Sequence, residues 1–255
     1  MMRVRLEKKM NLNLSLVIFF ILCGIAEGGV DTGNKVVYTV APKETDKNIQ
    51  HFLNENWIIY KQPAAVTANL FLFLPGTSVP IPTQESLFSG MQSFLGVAAD
   101  AGYRVIALQY DNDPSIMQIC SLNNDPSCSE NFRVKRIFGD NVTPMIKDAP
   151  AESIVNRLTK LLQFLDKHYP KEGWGSYLTN GVLIWKRIAV AGFSQGAGMA
   201  AFIAKRQEVA RVVLFSGPED YINSRSEIQD ELTPKDKKGN PLYLNDWVYL
   251  LGRSP

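Results

Sequence analysis

Four short apolar runs alternate with longer segments of helical periodicity along the chain. The runs cover residues 70–74, 104–108, 187–191 and 211–215. Apart from a leading arginine in three of them, every side chain in a run is apolar. Strands that are apolar on both faces are typical of a parallel sheet that helices cover on both sides. Two further short strands are predicted before these runs, at residues 35–40 and 57–60.

The segments between the runs predict helices that would cover this sheet. Residues 87–101 and 153–168 place apolar side chains at helical spacing, and the second segment stops before Pro170. Residues 195–206 are small and apolar, which suits a helix that packs closely on a sheet. Alternating strands and helices predict an α/β domain with a doubly wound, mostly parallel sheet and helices on both of its faces.

The N-terminal segment has the composition of a secretory signal peptide. Four basic residues precede an apolar run at residues 14–25, and small residues follow it. The run is shorter than the roughly 20 residues that span a bilayer, which favours cleavage over the alternative of a membrane anchor. We therefore predict a signal peptide at residues 1–26 and a secreted, extracellular or periplasmic domain at residues 30–255, with no stable membrane span after cleavage.

The overall charge of the chain is nearly balanced. The chain carries 27 basic and 25 acidic residues, for a formal net charge of +2. This balance gives no reason to expect a nucleic acid or an anionic membrane surface as a partner.

Residues 111–149 lack clear periodicity and are predicted to form a long excursion that shapes a binding cleft. Cys120 and Cys128 lie within this excursion and enclose a polar, turn-rich segment. In an oxidising compartment such a pair is typical of a disulfide, and the alternative is two free thiols. Two cysteines without a nearby histidine do not form a zinc site, so no metal is expected.

The sequence Gly192-Phe193-Ser194-Gln195-Gly196 follows the third apolar run and opens the third helical segment. A sharp turn from strand to helix would strain the serine backbone and expose its hydroxyl, and side chains two positions before and after it would collide. The amide of Gln195 would face the same space at a helix N-terminus, where developing negative charge is favoured. The alternative is a glycine-rich packing turn whose serine caps the helix.

The first apolar run ends in a second motif, Leu74-Pro75-Gly76-Thr77-Ser78. An oxyanion that forms above the sheet needs a second hydrogen-bond donor from a neighbouring strand end. The amide of Thr77, or that of Gly76, would supply it. The alternative is an ordinary Pro-Gly turn.

These two motifs, with residues 215–220 downstream, resemble the α/β-hydrolase superfamily over residues 35–220, and in particular its secreted esterase-like and lipase-like members. The resemblance implies an α/β-hydrolase fold and a serine hydrolase with Ser194 as nucleophile. It also implies a small-molecule carboxylic ester or other acyl compound as substrate, and no cofactor. Thioesters and peptides are less common substrates of the superfamily, and an acyltransferase would carry the same motif.

One part of the superfamily pattern is missing from the sequence. The triad of this fold runs serine, acid, histidine along the chain. The chain has two histidines, His51 and His168, and both precede Ser194. Asp220 is the candidate acid, and the alternative is a solvated loop carboxylate. The sequence after residue 215 is shorter than the roughly 60 residues that two further strand–helix units need, so we expect the last strands to be absent.

The sequence thus leaves two classes of function open. The first is a serine hydrolase, which would be inactive as given because a serine without its base loses most of its rate. The second is a non-catalytic binding protein that reuses the hydrolase scaffold.

Overall fold

The computed structural model describes residues 34–62, 68–77, 94–121 and 123–218. Within these ranges, each predicted strand is present to within one or two residues. The strands are β1 (Lys35–Val40), β2 (Asn56–Lys61), β3 (Leu70–Leu74), β4 (Arg104–Ala107), β5 (Leu178–Thr179), β6 (Val182–Leu183), β7 (Ile188–Phe193) and β8 (Arg211–Phe215). The short hairpin of β5 and β6 was not predicted.

The six longer strands form one sheet in the order β1-β2-β4-β3-β7-β8. β3, β4, β7 and β8 run parallel, whereas β2 is antiparallel to both β1 and β4. At the centre of the sheet, Leu72 lies between Ile106 on β4 and Val190 on β7. A mostly parallel sheet of this kind, with helices packed on it, is the α/β architecture that the sequence predicted. The prediction that the last strands of the fold are absent falls on residues outside the described ranges.

The described helices are α1 (Pro42–Thr45), α2 (described over residues 94–100), α3 (Ile116–Cys120), α4 (Cys128–Phe138), α5 (Ile154–His168) and α6 (Gln195–Arg206). α5 and α6 lie where the periodicity placed them. Ser153 caps the N-terminus of α5, and its Oγ accepts a hydrogen bond from the backbone N–H of Asn156 at 3.2 Å. None of these helices is long and apolar enough to cross a bilayer.

The two faces of the sheet bury different side chains, which explains why the runs are apolar on both faces of the strand. Leu70, Leu72 and Leu74 of β3 join the larger cluster, which also contains the buried faces of α5 and α6. Phe71 and Phe73 join the smaller cluster, against α2. A leucine buried in this way contributes about 1.5–3 kcal/mol relative to an exposed one.

The excursion at residues 111–149 contains two helices, α3 and α4, that the sequence did not predict. α3 begins with a reciprocal capping box between Ser115 and Gln118. It ends at Cys120, which forms the predicted disulfide with Cys128 at the start of α4, with the two Cα atoms 5.7 Å apart. Because α3 has five residues, little more than one turn, its periodicity was too short to recognise.

A buried ion pair fixes the two ends of this excursion to each other. Arg136 is 1% exposed, and its Nε donates to Asp148 Oδ2 at 2.8 Å while its Nη1 donates to the carbonyl of Pro114 at 2.7 Å. Asp111 Oδ1 lies 4.0 Å from Arg136 Nη2. A guanidinium that loses its water needs such partners because burying an ion costs several kcal/mol.

We predict that Asp148→Ala lowers the free energy of unfolding by about 3–5 kcal/mol, because it leaves Arg136 buried without its nearest counter-charge. Glu208→Ala, which breaks the exposed pair with Lys186, is the matched control and should cost less than about 1 kcal/mol. Urea denaturation of both variants measures the difference. Equal losses would mean that the buried pair contributes no more than a surface contact.

Candidate active site

Ser194 lies between the last residue of β7 and the first residue of α6, at the carboxyl edge of the parallel strands. Its backbone has φ 52° and ψ −121°, a region that residues other than glycine rarely occupy. This conformation costs about 1–3 kcal/mol. Its N–H donates to the carbonyl of Phe215 at 2.9 Å, which ties the turn to β8. The side chain is half-buried.

The two glycines around Ser194 are required by contact between backbones. A Cβ on Gly192 would lie 2.1 Å from the carbonyl oxygen of Gly196. A Cβ on Gly196 would lie 2.0 Å from the carbonyl oxygen of Leu74. Because neither backbone can yield as a flexible side chain would, both positions need glycine, and α6 begins directly against the end of β3.

This contact brings the second sequence motif next to the serine. Gly76 lies so close to the turn that a Cβ on it would be 3.1 Å from Ser194 Cβ and 3.1 Å from the carbonyl oxygen of Phe193. Thr77 follows, is exposed, and lines the same pocket as Ser194. The structure therefore gathers Gly76, Thr77, Ser194 and Gln195 at one place.

Three buried side chains stabilise this arrangement. The sequence predicted no role for any of these side chains, although it did predict one for the main-chain amide of Gln195. Tyr110 Oη donates to the carbonyl of Pro75 at 2.9 Å, and burial raises the pKa of Tyr110, which keeps it a donor. Asn112 Nδ2 donates to the carbonyl of Gly76 at 2.6 Å. The side chain of Gln195 donates to the carbonyl of Asn112 and accepts from the N–H of Ile116, each at 2.7 Å. The sequence feature that could have indicated Tyr110 and Asn112 is the polar segment at residues 109–113, which follows β4.

A pocket of 130 Å³ opens beside the serine. Eight described residues line it: Thr77, Ser115, Ile116, Met117, Arg133, Ser194, Gln195 and Gly198. α3 supplies one wall and α4 another, so the excursion does shape a cleft. Gly198 leaves room for the buried guanidinium of Arg133, since a Cβ there would lie 2.8 Å from Arg133 Nη2.

Asp111 is a buried carboxyl group next to this site that the sequence did not single out. It is 7% exposed, and its Oδ1 has no hydrogen-bond partner in the described structure. Loss of water on burial raises its pKa, and the negative charge of Asp148 raises it further, although Arg136 acts in the opposite direction.

Neither histidine of the chain is hydrogen bonded to Ser194. The exposed ring of His51 has Nδ1 4.0 Å from Asp111 Oδ2. His168 Nδ1 lies 2.8 Å from the carbonyl oxygen of Phe164, one turn back in α5, and its ring stacks on that of Phe164. The candidate acid Asp220 lies outside the described residues, as does the predicted signal peptide. Among the residues described, no cluster of three or more potential ligands could hold a metal ion.

No protein-family model and no curated protein matches the sequence. Solved structures of esterases are similar to it in part. A bacterial heroin esterase is 17% identical, with 78% of this chain and 49% of that chain covered and a TM-score of 0.36. An inhibited esterase B from Lactobacillus rhamnosis is 12% identical, with 78% and 54% covered and a TM-score of 0.37.

An esterase of the bacterial hormone-sensitive lipase family is 17% identical, with 71% of this chain and 43% of that chain covered and a TM-score of 0.33. This chain therefore spans about half the length of the structures that it matches. Similarity at this level, with TM-scores below 0.5, assigns no function, which has to come from the site.

We predict that Gly196→Ala destabilises the protein by about 3 kcal/mol or more, because the new methyl group would overlap the carbonyl of Leu74. Gly96→Ala in α2 is the matched control. A Cβ there meets nothing closer than 3.8 Å, so the substitution should stabilise the helix by about 0.5–1 kcal/mol. Thermal unfolding followed by circular dichroism compares the two, and a mild effect at Gly196 would contradict the tight contact.

The raised pKa of Asp111 predicts the sign of a pH effect. The folded state disfavours the ionised form, so Asp111 costs stability above its folded pKa, and this cost disappears as the pH falls to the ordinary value near 4. We expect Asp111→Asn to be more stable than wild type at pH 7 and to lose that advantage near pH 4.

Melting temperatures at both pH values test this expectation. Asp140→Asn, at an exposed position, controls for the loss of one negative charge. A less stable Asp111→Asn variant at pH 7 would mean that Arg136 needs the ionised carboxylate.

Proposed function

We propose that the protein is a serine hydrolase that cleaves small carboxylic esters, with Ser194 as nucleophile. The observation that carries the proposal is the strained backbone of Ser194 at a junction of strand and helix that permits no side chain at Gly192 or Gly196. Backbone strain retained at a junction of this kind is typical of a catalytic turn.

The oxyanion would be stabilised by two main-chain donors. The N–H of Gln195 lies in the first turn of α6, where the helix dipole favours negative charge. The N–H of Thr77, or that of Gly76, would approach from the end of β3. Removal of one such donor from a hydrolase typically costs 10²- to 10³-fold in rate, which is the scale of the contribution assigned to each.

The size of the pocket favours a short acyl group. Its volume of 130 Å³ is well below the roughly 300–1,000 Å³ of pockets that hold drug-sized ligands. Ile116 and Met117 close it on the side of α3. In the proposed reaction, Ser194 Oγ attacks the ester carbonyl, the alcohol leaves, and water then releases the acid.

The described residues supply no general base for Ser194. His51 and His168 make their contacts elsewhere. Without a base, the oxyanion hole and substrate binding retain only about 10³- to 10⁴-fold over the reaction in water. We therefore propose slow turnover for the chain as given, with a serine that still reacts with strong electrophiles.

A small alkyl fluorophosphonate tests the proposal. We expect the full chain to be labelled, with the added mass on the peptide that contains Ser194, and Ser194→Ala to remain unlabelled. Ser129→Ala, at a serine of α4 with no assigned role, is the control and should label like wild type. No labelling of folded wild type, or labelling at another serine, would overturn the proposal and favour a binding protein on the hydrolase scaffold.

A further inference from the structure

Asn112 connects the two chain segments that would supply the oxyanion donors. It is 1% exposed and lies a few residues after β4. Its Nδ2 donates to the carbonyl of Gly76 at 2.6 Å, and its own carbonyl accepts from Gln195 Nε2 at 2.7 Å. The side chain of Asn112 thus holds the loop after β3, and its backbone carbonyl holds the start of α6.

The bond to Gly76 determines the direction of a neighbouring N–H. The carbonyl of Gly76 and the N–H of Thr77 belong to one planar trans peptide, in which the two groups point in opposite directions. When Asn112 holds the carbonyl, the N–H of Thr77 must point away from Asn112. A loop without this bond could rotate the peptide and turn the donor away from the site.

Tyr110 acts in the same way on the preceding peptide. Its hydroxyl holds the carbonyl of Pro75, and this sets the direction of the N–H of Gly76. The two candidate donors therefore depend on different side chains. This separation makes it possible to tell by substitution which amide serves the oxyanion.

The contact with Gln195 gives Asn112 a second role. Both polar atoms of the Gln195 side chain are hydrogen bonded to the backbone at residues 112 and 116. Gln195 is 8% exposed, so water competes little for these bonds. The N–H of Gln195 is the other proposed donor. These bonds hold the backbone of Gln195 in place next to the segment that orients Thr77.

We propose that Asn112 is a positioning residue of the oxyanion hole, which aims the N–H of Thr77 through the carbonyl of Gly76. The inference rests on the proposed function, since it concerns the same site. A donor has to be oriented before charge develops, because reorganisation during the reaction would cancel part of its benefit. Loss of Asn112 should therefore slow the chemical step and leave initial binding almost unchanged.

The test is the rate of inactivation by the same small fluorophosphonate. Ser194 Oγ forms a bond to phosphorus, fluoride leaves, and the hydroxyl proton passes to water, while the phosphoryl oxygen occupies the oxyanion position. For Asn112→Ala we expect the maximal rate, kinact, to fall about 10- to 100-fold, with the half-saturating probe concentration, KI, changed less than about threefold. Tyr110→Phe should have a smaller effect on kinact if Thr77 is the donor.

Two further variants make the result specific. Asn156→Ala removes an asparagine of α5 that also donates to a backbone carbonyl, that of Ala151 at 2.9 Å, and should leave kinact unchanged. Asn112→Gln retains an amide donor, should recover part of the rate, and serves also if Asn112→Ala does not fold. Recovery by a donor is a result that a purely structural role would not produce.

Several outcomes would overturn the inference. These are an unchanged kinact in Asn112→Ala, a rise in KI alone, no recovery in Asn112→Gln, and a larger loss of kinact in Tyr110→Phe than in Asn112→Ala. Failure of wild type to react would instead overturn the proposed function. The two failures are therefore distinguishable in one set of measurements.

Discussion

The contact between the start of α6 and the end of β3 is the constraint on which the rest of the site depends. Gly196 approaches Leu74 so closely that not even a methyl group fits between the two backbones. This packing fixes where the helix begins, and therefore where the strand must turn. The strain at Ser194 is retained because relaxing the turn would open the contact. The packing of α6 on β3 also brings the loop after β3 beside the serine.

Polar groups that the fold buries at this edge of the sheet hold the rest of the site. A buried polar group without a partner costs about 1–3 kcal/mol, so each must find one within the protein. Asn112 and Gln195 bind neighbouring backbone, and Arg136 binds Asp148. The excursion therefore forms a wall of the pocket and supplies the hydrogen bonds that orient it, and the disulfide joins its two helices.

The proposed site combines main-chain elements with a general base that the described residues do not supply. The proposed nucleophile turn and backbone donors follow from the packing of strands and helices. A general base is a single side chain on a separate loop, and no packing rule requires it. His51 beside Asp111 and His168 within its own helix are each held by other contacts. The geometry therefore supports a reactive serine more strongly than rapid turnover.

The sequence by itself determined the six strands of the main sheet, the helices α5 and α6, the disulfide pair and the turn at Ser194. These depend on local patterns: apolar residues on both faces of a strand, helical spacing, and glycines around a serine. The short α3, the buried Arg136–Asp148 pair and the roles of Tyr110, Asn112 and Asp111 were decided only by the tertiary structure. They depend on partners that are distant along the chain, such as Asn112 and Gly76. A polar residue after a strand looks the same in sequence whether it faces water or a buried carbonyl, and only the folded neighbours distinguish the two.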